Sequence, residues 1–367
     1  VLTPEYLDFA AEPILELYEA YQLSVIQDIA RRIAKLDYAR PAAAWQLQRL
    51  IESGRVYNNA IAELSTLLGK SPKVLMEMFK RAGVRTLRFD DSIYRKVGMD
   101  PLPLHLSPAM LDVLLVGIRK TQGVFENLTR TTALFGQQAY IQATDLAYLQ
   151  ISTGAFDYQS AIRTAVKTTA ENGLHTISFA RTVDKADVAI RRAVLTGINQ
   201  TAGQLQIARA NEMGSTLVQV TAHGGARPTH QIWQGKIFSR IGAGKYPDFV
   251  TETGYGTGPG LMGWNCRHSF FPFFPGVSEN AYSEDARREL ANRRVTLDGK
   301  DLTVYDALQK QRELERTIRK WKRQLEGAKS AGLESSFESG KVRYWQARVR
   351  SLVNQTGLKR DYFRESI

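Results

Sequence analysis

Residues 218–276 read VQVTAHGGARPTHQIWQGKIFSRIGAGKYPDFVTETGYGTGPGLMGWNCRHSFFPFFPG. The stretch is rich in glycine, proline and aromatics, and it holds three of the five histidines and the one cysteine, Cys266. So much glycine costs backbone entropy unless side chains fix the loops. Aromatic packing and ligand-type side chains are the means at hand. Residues 216–222 have strand composition, and Ile237 and Phe238 suggest a second strand after the Gln234-Gly235-Lys236 turn. Phe270 to Phe274 suits an edge strand, because Pro272 cannot donate to a central ladder. The reading predicts a small α+β module over 216–276.

On both sides the period changes to that of helices. Leu15, Tyr18, Val25, Ile26, Ile29, Ile33 and Leu36 carry helical spacing over 5–36, and Pro13 fits the first turn of the longer helix there better than its interior. Pro41 opens a second that Gly54 ends, a third spans 56–68, and Ser71-Pro72 starts a fourth that stops near Gly83. Residues 1–83 thus read as a helical bundle. In 84–215, Pro101 and Pro103 mark a loop, and Ser107-Pro108 opens a long helix toward Tyr148, whole or broken near Gly136. Tyr158–Glu171 forms another helix that Gly173 stops, and a further one runs from Asp184 or Lys185 to Asn211. In 277–367, Glu284–Asn292 is a short helix and Leu297–Lys300 a turn. Helices over 302–329 and 340–358 form a hairpin, with Trp321 and Trp345 placed either to join its arms or to dock them onto another subunit. The fold class is mainly α with a small α+β central module, an elongated helical N-terminal region and a C-terminal helical hairpin.

Forty-nine basic and 37 acidic side chains leave a net charge of +12. That balance favours a polyanionic neighbour, either nucleic acid or an acidic protein surface. One cysteine excludes an internal disulfide framework and points to a reducing compartment. Residues 1–20 lack a basic segment followed by an apolar run, so no secretory signal is expected there. No run approaches eighteen apolar residues, so no spanning helix is expected.

His223, His230, Cys266 and His268 are the best ligand-type set. Imidazoles and a thiolate suit a tetrahedral structural Zn site of the Cys–His₃ kind. Gly224, Gly225, Gly260 and Gly263 would let the two remote loops converge. The competing reading is a metal-free knot of hydrogen-bonded histidines around a buried cysteine. A weaker third pairs Cys266 with a histidine as nucleophile and base, with Asp248 or Glu252 as orienting carboxylate, in a Cys/His hydrolase. The glycines at 254–260 are not a phosphate loop, since no Lys-Ser/Thr follows. Arg227, Lys236, Arg240, Lys245 and Arg267 would either meet phosphates or hold carboxylates. On the C-terminal arm, Arg312, Arg316, Arg319, Lys320, Lys322 and Arg323 form a basic cluster suited to DNA contact.

The run Ala222-His223-Gly224-Gly225-Ala226-Arg227-Pro228-Thr229-His230, then Trp233-Gln234-Gly235-Lys236, closely resembles the signature of the phage minor capsid protein 2 family. Tyr255-Gly256-Thr257-Gly258, Gly260-Leu261, Gly263, Asn265-Cys266-Arg267-His268 and Pro272 to Gly276 extend it. The module is more distantly similar to Mu F-like head morphogenesis domains, with His268 standing where those have a second cysteine. The resemblance implies a non-enzymatic virion protein, made in the bacterial host cytoplasm and placed at the head interior or portal vertex. It implies the portal protein or the major capsid protein as partners, with packaged double-stranded DNA nearby. It also implies a role in head assembly or DNA delivery, and it makes residues 84–215 the portal- or capsid-binding region.

Overall fold

The computed structural model describes all 367 residues. Helices dominate, as the sequence predicts, and the central α+β module is joined by two further antiparallel hairpins that the sequence reading does not include. No helix is long and apolar enough to cross a membrane.

Helix α1 spans Pro4–Lys35 and α2 spans Ala42–Lys96. The second replaces the three helices expected between Pro41 and Gly83. Gly54 and Gly69 keep helical backbone, and nothing lies within 4 Å of a Cβ built on either. Each costs such a helix only about 1 kcal/mol relative to alanine. Pro72 does not start a helix but sits inside one, where its missing N–H leaves the Leu68 carbonyl without its usual donor. The Ser71 hydroxyl donates to that carbonyl at 3.4 Å, so the residue expected as a cap serves as a patch. Pro13 is likewise inside α1.

Helix α3 runs unbroken over Pro108–Ser152. Helix α4, Tyr158–Asn172, begins where the Asp157 side chain accepts from Ser160 N–H and ends at Gly173, which takes φ 65°. Strands β1 (His175–Ile177) and β2 (Val183–Lys185) form a hairpin where the sequence pattern predicts loop and a helix start. Thr176 ties it down by donating to the Leu128 carbonyl at 2.6 Å. Helix α5 follows over Ala186–Glu212.

The central sheet has β3 (Leu217–Val220) between β4 (Ile237–Ser239) and β5 (Phe270–Pro272). Both pairings are antiparallel, with Val218 opposite Phe238 and Pro272. Proline is tolerated because β5 is an edge strand. Val218, Val220, Trp233, Phe238, Phe249, Leu261, Met262, Cys266 and Phe270 pack into one buried cluster beneath it. Two short helices belong to this module, α6 (Pro228–Gln231) and α7 (Phe249–Thr253).

Helix α8, Glu284–Asn292, precedes a hairpin of β6 (Arg294–Leu297) and β7 (Lys300–Thr303). Its two-residue loop is Asp298-Gly299, both at positive φ, the combination a type I′ turn demands. Helices α9 (Val304–Ser330) and α10 (Ser336–Thr356) form the C-terminal hairpin. Trp321 meets Phe337 of the other arm edge-on at 5.8 Å, whereas Trp345 packs on Tyr344 of its own helix.

Packing divides the chain into two compact units, each gathered from three stretches. One holds Val1–Pro13, Pro72–Gly123 and Arg191–Gln309, and includes the central module. The other holds Ile14–Ser71, Val124–Ile190 and Lys310–Ile367. Every crossing from one to the other lies inside a helix: α1, α2, α3, α5 or α9.

Candidate metal centre

Three of the four ligand-type residues converge. His230 comes from α6, which Pro228 opens at its first turn. Cys266 and His268 come from the extended chain leading into β5, where alternate residues face the same side. His230, Cys266 and His268 are all buried, and one ligand atom from each lies within 4.8 Å of the others. The Cys266 Sγ is 3.7 Å from His230 Nδ1 and 3.7 Å from His268 Nδ1.

Hydrogen bonds on the far side of each ring set its tautomer. His230 Nε2 donates to the Pro259 carbonyl at 2.9 Å, which leaves Nδ1 with a lone pair facing the sulfur. His268 Nε2 donates to Gln234 Oε1 at 3.0 Å. The same Gln234 oxygen accepts the backbone N–H of His223 at 3.1 Å, so that atom is the oxygen and not the amide nitrogen. Both Nδ1 atoms therefore present lone pairs to Cys266. Burial pushes the pKa of His230 down to about 4 and that of His268 well below the usual histidine range. Burial also pushes the Cys266 thiol up.

The fourth candidate, His223, lies beside this cluster and not within it. Its ring packs on that of His268 with centroids 4.3 Å apart, and its Nδ1 donates to the Gly224 carbonyl at 3.0 Å. Trp233 covers the other side, with its ring 4.5 Å from His230 and 4.8 Å from His268.

The glycine loop supplies the Pro259 carbonyl and has little room to move. A Cβ on Gly260 would sit 2.0 Å from the Gly254 oxygen, and one on Gly263 would sit 2.1 Å from the Gly258 oxygen. Backbone bonds Trp264 N to Gly258 O and Leu261 N to Thr253 O close it. Asn265 adopts φ 54° just before Cys266. Asn199 of α5 then clamps the Cys-x-His segment by donating to the carbonyls of Cys266 and His268, each at 3.2 Å. Sequence reasoning does not find Asn199 and Gln234 as site residues. Gln234 enters the sequence reading only as part of a turn and of the family signature, and Asn199 not at all, because their roles depend on which backbone groups fold back beside them.

The remaining motif residues hold turns, backbone or a carboxylate, Lys236 excepted. Gly225 and Gly235 take φ 75° and 71°. Arg227 donates to the Trp264 carbonyl, and Arg267 pairs with Asp8 at 2.8 Å. Arg240 donates to the Ser215 carbonyl, while Lys236 stays exposed. Asp248 caps α7 by accepting from Thr251 N–H at 2.8 Å. The histidines are thus oriented by Pro259 and Gln234, not by Asp248 or Glu252, and a thiol raised by burial is the reverse of an activated nucleophile. The geometry lends the hydrolase reading no support.

The C-terminal basic cluster turns largely inward. Arg319 and Arg323 are buried and face Asp187 at 3.2 and 3.9 Å. Arg323 also donates to the Ala170 carbonyl at 3.2 Å, and Lys320 pairs with Glu171. Arg312 and Lys322 are half-buried, so Arg316 is the one exposed member of the six.

Comparison with known proteins agrees with the signature. The family model for phage minor capsid protein 2 matches residues 2–354. A structural protein of Lactococcus phage LL-H is 25% identical over 363 residues, covering 94% of this chain and 94% of that protein. A structural protein of Lactococcus phage mv4 is 33% identical over 128 residues, 34% of this chain and 93% of that protein. No solved structure matches the chain. The family match takes in both compact units and every residue of the histidine–cysteine cluster, and on that extent the chain belongs to the phage minor capsid protein 2 family.

Proposed function

We propose that this phage structural protein is a non-enzymatic minor capsid component at the portal vertex or head interior, where it aids head assembly or DNA delivery. The observation that carries the reading is the family match over residues 2–354. Surface chemistry supports it. Leu47, Leu50 and Ile51 lie at i, i+3 and i+4 on α2 and are exposed, which is the pattern of a helix face that meets another protein. The portal protein or the major capsid protein is the partner we assign to it. The test is crosslinking mass spectrometry on intact particles, with crosslinks from α2 to the portal or capsid subunit as the expected result. A protein missing from purified particles, or crosslinked only to tail components, would sink the reading.

A second reading is DNA contact, which can coexist with the first. It rests on the net charge of +12 and on a basic face of α2 distinct from the C-terminal arm. Lys80, Arg81, Arg85 and Arg88 are all exposed there and line one shallow groove. Phosphate backbone is the chemistry such a face suits.

A further inference from the structure

We propose that His230 Nδ1, His268 Nδ1 and Cys266 Sγ bind one zinc ion as a structural crosslink of the central module. The inference is independent of where the protein stands in the particle. Tetrahedral zinc with Zn–S near 2.3 Å and Zn–N near 2.0–2.1 Å requires sulfur–nitrogen edges of about 3.6 Å. Both edges here measure 3.7 Å. The donor set is one soft sulfur and two borderline nitrogens, which suits zinc better than magnesium or calcium.

Outer contacts match what ligating histidines need. Each ring nitrogen remote from the sulfur donates to an oxygen, Pro259 O or Gln234 Oε1, which fixes the tautomer that points Nδ1 inward. Without an ion, the cluster sets two lone pairs and a weak S–H donor in a buried space. With one, the Cys266 proton leaves to solvent, the thiolate joins two neutral imidazoles and a water completes the tetrahedron, leaving the site singly positive. Three chain segments would then be pinned at one point: α6, the glycine loop through Pro259, and the Cys-x-His segment. His223 packs on His268 without joining the ligand set.

The experiment uses the full chain, purified without chelator or histidine tag. Elemental analysis should find about one zinc per chain, the occupancy of a structural site. Cobalt(II) substitution should give a sulfur-to-cobalt charge-transfer band. Because Cys266 is the one cysteine, its alkylation reports the site directly even if a variant misfolds. Zinc should slow alkylation of the wild-type chain in mild denaturant at least tenfold, and chelator should reverse it. Cys266→Ser and His268→Ala should each lose the metal, while His223→Ala and His105→Ala keep one equivalent. Less than a tenth of an equivalent after zinc addition, with alkylation unchanged, overturns the proposal. Retention by Cys266→Ser together with loss in His223→Ala overturns the assigned ligands.

Discussion

Gly117 and Thr201 occupy one volume: a Cβ on Gly117 would lie 2.0 Å from Thr201 Oγ1. The relation is reciprocal, since a Cβ on Gly197 would lie 2.1 Å from Thr121 Oγ1. Gly117-Ile118-Arg119-Lys120-Thr121 on α3 thus interlocks with Gly197-Ile198-Asn199-Gln200-Thr201 on α5. Each glycine accepts the threonine of the opposite helix, and the crossing places Asn199 where it clamps the cluster.

Gly117→Ala should therefore destabilise the first unit by about 1–3 kcal/mol, the usual cost of overpacking. Thr201→Gly should partly rescue it, with a coupling of about 0.5–3 kcal/mol. Urea denaturation of the two single variants and the double variant measures the cycle. Strictly additive losses would show that the helices separate without strain.

Asp187 anchors Arg319 and Arg323 in the second unit. Burial pushes the Asp187 carboxyl up, but the two guanidinium groups and its hydrogen bonds outweigh that and hold its pKa below the usual range. Its stabilising contribution is present above the ordinary carboxylate range and is lost as pH falls through the depressed value. Arg323→Ala should cost about 1–3 kcal/mol, since the buried Ala170 carbonyl loses its donor while Asp187 keeps Arg319. Arg316→Ala, at an exposed site, should stay within about 0.5 kcal/mol. Thermal melts of both variants decide it, and equal losses would contradict the burial.

Asp90 has the opposite sign. Burial pushes its carboxyl up to about 7, against the hydrogen bond from Gln206 at 3.0 Å. Asp91, which faces Arg209 at 3.1 Å, is also raised, to about 6. Between pH about 4, where an unfolded aspartate titrates, and about 7, the folded chain holds a proton that the unfolded chain has lost. Stability from this group therefore falls as pH rises through that window. Asp90→Asn should flatten the decline in urea midpoint between pH 5 and pH 8. A variant as pH-dependent as wild type would refute it.

Reversing Lys80, Arg81, Arg85 and Arg88 to glutamate should weaken binding to duplex DNA of any sequence. The slope of log K against log salt should become shallower by about 3–4, near 0.9 for each phosphate no longer neutralised. The same reversal of the half-buried Arg312 and exposed Arg316 should change it by at most about 2. Fluorescence anisotropy across a salt series reads both. An unchanged slope in the first variant would remove the α2 face from consideration.

Much of the fold is legible in the chain. Helical period and strand composition are local signals, so α4, α5, β3, β4, the edge strand β5 and the C-terminal hairpin follow from them. Three expected helices are one α2 because glycine and proline lower helix stability by amounts that a long packed helix absorbs, and the Ser71 hydroxyl covers part of the gap. The β1–β2 hairpin is illegible because Thr176 is held by a carbonyl 48 residues away.

By itself the sequence determined the family signature, the helical class and the ligand-type residues of the central module, because these depend on side-chain identity and short-range period. Only the tertiary structure decided that His230, Cys266 and His268 meet while His223 stands beside them. It also decided that Asn199 and Gln234 orient the cluster, and that Arg319 and Arg323 are buried on Asp187. Those are relations between residues tens of positions apart, set by where backbone carbonyls and charges come together when the chain packs, and no local spacing encodes them.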